Sequence, residues 1–229
     1  MPVNCYLIAE EFKIQVIESP LEMKFVGGLF LKDGQRVIII NSNINSDGRK
    51  NFTLAHELGH YFIHTEQTNL RCTLDDLSDS SPHSKTIEQE ANAFASTLLI
   101  PAGDLRKQIE ENELTLHLAS NLSERYDTSL TTTVIRISEI TKKPLTVVYL
   151  KNNKVSWWYR NNQMKFSGLW LTKGQDIGSL VSALTDAGSI IDPSDWLDEE
   201  RSDKWELMGS LVNMPNYSAQ LLMIEGVER

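Results

Sequence analysis

The sequence predicts an α+β fold, and three stretches carry the prediction. Two apolar, β-branched runs at residues 24–32 and 35–41 flank Asp33-Gly34, a hairpin signal because both turn positions tolerate positive φ. Apolar residues then recur at helical spacing from about residue 51 to 141, and strands return after Pro144. At 229 residues the chain exceeds the usual domain of about 100 to 150, so two domains are expected, 1–143 and 144–229.

Composition narrows the class. A hydrophobic content of 41% supports a real core, while a formal charge of −9 opposes general attraction to nucleic acid or an anionic membrane. The two cysteines, Cys5 and Cys72, form neither a paired metal signature nor a disulfide framework, which fits a reducing compartment. No stretch approaches the ~20 apolar residues of a membrane span, and residues 1–11 lack the basic and apolar regions of a signal peptide. A cytoplasmic location is expected.

Residues 3–12 read as a short amphipathic helix and 13–17 as a strand or its tail. After the hairpin, the polar segment 42–48 offers Ser46 and Asp47 as N-caps for a helix over 51–64, packed through Phe52, Ala55, Gly59, Phe62 and Ile63. Within that helix lies His56-Glu57-Leu58-Gly59-His60. His56 and His60 fall about 40° apart and one turn along, so both imidazoles reach one ion. Glu57 sits about 100° round the helix, placed to take a proton from a water on that ion. The spacing therefore points to two zinc ligands and a general base. Residues 65–84, rich in Ser, Asp and Thr, read as a solvated loop.

A second helix from Ile87 packs through Ala91, Phe94, Ala95, Leu98 and Leu99 and stops before Pro101. On its wheel Glu88 lies on the flank of the packed face, between Ala95 and Leu99, whereas Glu90 lies beside Thr97 on the polar side. A carboxylate on a buried flank needs a cation or a donor. Asn92, one turn on from Glu88, can orient an imidazole or the carboxylate from outside the ligand set. Glu88 is thus preferred to Glu90 as third ligand.

The segments Thr53-Leu54-Ala55-His56-Glu57-Leu58-Gly59-His60 and Ile87-Glu88-Gln89-Glu90-Ala91-Asn92-Ala93-Phe94-Ala95, followed by Leu98-Leu99-Ile100-Pro101, resemble in order and spacing the two signature helices of the ImmA/IrrE metallopeptidases of bacteria, phages and mobile elements. The resemblance implies a zincin-like core, zinc ligands His56, His60 and Glu88, and Glu57 as catalytic acid/base. Manganese or iron would also suit two imidazoles and a carboxylate. It further implies an endopeptidase that cuts a helix-turn-helix repressor and so derepresses its genes. An alternative is a metal-dependent protein that sequesters the repressor without cutting it.

Beyond Pro101, helices are expected at 104–112, 115–125 and 129–141, and the last two, joined at Asp127-Thr128, look like a helix-turn-helix. Charge argues against DNA binding through 115–141, since 101–143 carry six Lys or Arg against seven Asp or Glu. A second hairpin at 145–150 and 154–160 opens a small α+β accessory region that holds all five tryptophans, Trp157, Trp158, Trp170, Trp196 and Trp205, read as core rather than pocket. His64 is taken as a polar helix end. His83 and Tyr61 are candidate oxyanion donors without a spacing to specify the role. Cys72 is a possible thiolate ligand that would keep a zinc enzyme latent, but no partner motif supports it.

Overall fold

A computed structural model describes residues 2–22, 24–65, 70–73, 85–166 and 168–229. They form two compact units, Met1–Pro101 with Ser123–Ser129, and Ala102–Leu122 with Leu130–Arg229. Among the described residues no helix is long and apolar enough to cross a membrane.

The first unit opens with α1 (Cys5–Glu11), capped by the Asn4 side chain, which accepts from the N–H groups of Tyr6 and Leu7. Strands β1 (Gln15–Ser19), β2 (Phe25–Lys32), β3 (Gln35–Asn41) and β4 (Leu70–Thr73) form one sheet in the order β1-β3-β2-β4. β1 runs parallel to β3, and the other pairs are antiparallel. The β2–β3 turn places Asp33 at φ 50° and Gly34 at φ 78°, the left-handed pair that a tight hairpin requires. β4 lies inside the stretch expected to be loop. Its pairing to β2 supplies the order that its short, mixed sequence does not advertise.

Helix α2 (Asp47–Ile63) starts where the Ser46 hydroxyl accepts from the Arg49 N–H, and it packs on β2 and β3. Leu54 and Leu58 are fully buried, each contributing about 1.5–3 kcal/mol of burial. Gly27 of β2 is what lets the helix come so close. A Cβ there would lie 2.8 Å from Thr53 Cγ2 and 3.2 Å from Glu57 Oε1. Helix α3 (Lys85–Leu99) packs along α2, and at their crossing a Cβ on Gly59 would stand 3.1 Å from Ala91 Cα and 3.2 Å from its carbonyl oxygen. Close approach here decides whether side chains from the two helices can share one ion. Gly59→Val is therefore expected to lower stability by about 1–3 kcal/mol, since packed interiors resist added volume. The lost stability should show in the denaturant midpoint.

The second unit contains α4 (Ala102–Glu110), most of α5 (Leu116–Tyr126), and α6 (Leu130–Ile140), which packs against α4 and β5 (Leu145–Lys151). An antiparallel sheet follows in the order β6-β5-β9-β8-β7, with β6 at Lys154–Arg160, β7 at Ser189–Ile191, β8 at Trp205–Met214 and β9 at Ala219–Glu228. Two short helices, α7 (Gly178–Val181) and α8 (Glu199–Ser202), lie between β6 and β8. Trp196 and Trp205 enter the unit's core with Val148, Leu150, Leu222 and Ile224, and Trp158 packs against it. Trp157 stacks on Tyr149 instead, and Trp170 is 70% exposed. The α5–α6 turn belongs with the first unit, where Asn51 Nδ2 donates to the Asp127 carbonyl at 3.0 Å and Gly48 abuts the backbone of Thr128. The turn of the helix-turn-helix-like pair thus seats on the start of α2.

Candidate metal centre

Helix α2 sets His56 and His60 one turn apart, and both are fully buried. Their Nε2 atoms stand 3.0 Å from each other. Glu88, in the first turn of α3, brings Oε2 to 3.0 Å from His56 Nε2 and 3.3 Å from His60 Nε2. Two elements of one unit, held together at Gly59, thus aim three donor atoms at one point.

The outward nitrogens settle what the inward ones carry. His56 Nδ1 lies 2.9 Å from Asn92 Oδ1, an oxygen that only accepts, so Nδ1 holds the proton and Nε2 presents a lone pair. His60 is oriented through a longer chain. His64 Nε2 donates to Glu90 Oε2 at 2.9 Å, and the other His64 nitrogen, Nδ1, accepts from His60 Nδ1 at 3.0 Å. His60 Nε2 is then bare as well. Burial raises the Glu88 carboxyl, and imidazole protons facing it bring it down to about 2; with the inward nitrogens bare, a cation has to supply that positive charge.

Two lone pairs and a carboxylate within 3.0–3.3 Å of one another require a cation between them. A proton on one imidazole satisfies one edge of this triangle, while a metal ion satisfies all three. In a tetrahedral ion with ligand bonds of about 2.0–2.1 Å, nitrogen and oxygen ligand atoms are separated by about 3.3 Å. The donor set therefore fits a metal ion. Cys72, on β4, completes the group: its Sγ lies 3.4 Å from His56 Nε2, 3.7 Å from His60 Nε2 and 4.0 Å from Glu88 Oε2.

Glu57 stands outside this four-donor group. It is fully buried against Gly27, whose register partner on β4 is Cys72, so the carboxylate borders the cluster on its sheet side. Asn92 occupies the orienting position behind His56. The described contacts of Tyr61 are aromatic and cation–π, with Phe12, Phe62 and Arg36. His83 lies outside the described residues. Sequence reading set aside His64 and Glu90; their signal was the one-turn spacing His60–His64, which puts a third imidazole beside the second.

Comparison with known proteins agrees with this geometry. Residues 9–138, more than half of the chain, match the family described as the IrrE N-terminal-like domain, a peptidase family. The chain is similar to the metallopeptidase ImmA of Bacillus subtilis (strain 168), 31% identical over 42% of this chain and 54% of that protein. It is also similar to the uncharacterized immunity region protein 2 of Bacillus phage phi105, 32% identical over 43% of this chain and 59% of that protein. It thus spans little more than half the length of these curated relatives. A solved structure of a Mycobacterium tuberculosis transcriptional regulator shares the fold, with a TM-score of 0.60 at 13% identity over 98% of this chain and 69% of that one. The chain belongs to the ImmA/IrrE family of metallopeptidases through its IrrE N-terminal-like domain.

Proposed function

We propose that this protein is a zinc-dependent endopeptidase with a zincin-like core, acting on a helix-turn-helix repressor. The observation that carries the reading is the convergence of two imidazole Nε2 atoms and the Glu88 carboxylate within 3.0–3.3 Å. His56, His60 and Glu88 would hold the metal, and Asn92 would fix the tautomer of His56. When bound, zinc supplies Lewis acidity, polarising a peptide carbonyl and lowering the pKa of a water to about 7. Glu57 takes the proton of the attacking water and returns it to the amine that leaves when the C–N bond breaks. Its burial beside the cluster keeps bulk water from competing for that proton.

The substrate class rests on kinship. One relative is named a metallopeptidase and another is named for a phage immunity region. The protein purified without chelator is expected to carry about one divalent ion per chain, read by elemental analysis. With a small repressor-like protein encoded beside it, the loaded enzyme should yield two defined fragments, and a chelator should stop the reaction. A repressor left intact by the metal-loaded protein, both with Cys72 present and with Cys72 replaced by Ala, would defeat the reading.

A further inference from the structure

We propose that Cys72 is a fourth ligand of this centre, closing its coordination sphere and holding the peptidase latent until β4 moves. The inference rests on the metal centre proposed above and adds its regulation.

The positions of four donor atoms carry it. With a sulfur bond of about 2.3 Å and nitrogen bonds of about 2.0–2.1 Å, a tetrahedral ion separates sulfur from its neighbours by about 3.5 Å. Cys72 Sγ stands 3.4, 3.7 and 4.0 Å from the other three donors, which are themselves 3.0, 3.0 and 3.3 Å apart. Five of the six edges lie within about 0.3 Å of tetrahedral lengths, and the sulfur–carboxylate edge is about 0.5 Å longer, so the sulfur occupies the fourth corner. In a catalytic zinc site that corner belongs to water or substrate, whereas a site with four protein ligands is structural and closed. Three of the four residues, His56, His60 and Cys72, are completely buried, so the corner is also shielded from solvent.

The cysteine is not fixed as firmly as its partners. His56, His60 and Glu88 stand on long helices packed together, but Cys72 stands on a four-residue strand at the edge of its sheet, paired on one side to β2. A register shift between Phe25 and Gly27 already interrupts that pairing beside Gly27, the partner of Cys72. Short edge strands open at low cost compared with the rest of a domain. Lifting β4 takes one ligand away and leaves three, which is the open catalytic arrangement. Cys5 plays no part: it lies on α1, and burial followed by the nearby Asp127 pushes its thiol up to about 12.

Cobalt(II) replaces zinc for the test, because thiolate coordination gives it an intense charge-transfer absorption in the near ultraviolet. Wild-type protein loaded with one cobalt per chain is expected to show that band, and Cys5→Ser should keep it. Cys72→Ser and Cys72→Ala should bind cobalt without the band. A second readout uses acetohydroxamate, a small chelating probe of an open metal position. If the open form of the wild type is populated at about one part in ten or less, the probe should bind the Cys72 variants about tenfold or more tightly. Cobalt bound by the wild type without the band overturns the fourth ligand while leaving the proposed peptidase centre intact. A band that survives in Cys72→Ser overturns it too. Equal hydroxamate affinity in wild type and variants overturns the latency. Failure of the wild type to bind cobalt at all removes the centre itself, and with it the function proposed above. The wild-type spectrum needs no substitution, so a variant that misfolds does not rescue the idea.

Discussion

Replacing Glu57 by Gln is expected to leave the protein folded and loaded with metal while lowering peptide cleavage by about a hundredfold to ten-thousandfold, the usual range for loss of a general acid–base. Gln keeps the shape of Glu, which matters because the side chain is fully buried against Gly27, where a single added carbon would already crowd it. None of the four clustered donor atoms is touched, so metal content should stay at one ion per chain. Only the site that accepts the proton is gone. The same variant separates catalysis from sequestration: a protein that merely binds its repressor would keep full regulatory effect as Glu57→Gln. Undiminished cleavage by the metal-loaded variant would remove Glu57 from the mechanism.

What could be read from the chain was what periodicity and spacing encode. The hairpin about Asp33-Gly34 and the Ser46 cap of α2 follow from local pattern, and the structure places them so, although α2 begins at Asp47 rather than residue 51; of the two carboxylates, Glu88 faces His56 and His60. The contribution of β4 was illegible for a physical reason. Leu70–Thr73 is too short to show alternation, and its strand character comes from hydrogen bonds to β2, a partner about 45 residues earlier in the chain. Cys72 reaches the imidazoles only through that pairing, so no sequence pattern marks it. The boundary expected at residue 143 met the same difficulty. α6 packs on β5, so most of 102–140 clusters with the C-terminal sheet, although local composition changes only at Pro144. Helical periodicity tells which face is apolar, not which neighbour will cover it.

The two carboxylates of α3 should separate cleanly in metal binding, though less completely than their places on the helical wheel suggest. Glu88→Ala removes a ligand atom 3.0 and 3.3 Å from the two imidazoles and leaves two histidines and a buried thiol. It also strips the cluster of its carboxylate, one of the negative charges that would offset the ion. Metal affinity is expected to fall strongly. Glu90→Ala leaves every donor in place but frees His64, which then no longer pins the outward nitrogen of His60. Loss of such an orienting partner typically weakens metal affinity by about 10–100-fold, so this variant should still load with added zinc and release it faster to a chelator. Glu90→Gln keeps an oxygen that can accept from His64 and should recover most of the loss. Competition against a chelator of known affinity orders the three variants. Glu90→Ala losing metal as fully as Glu88→Ala would make Glu90 more than a positioning residue, and Glu88→Ala retaining it would move the third ligand elsewhere.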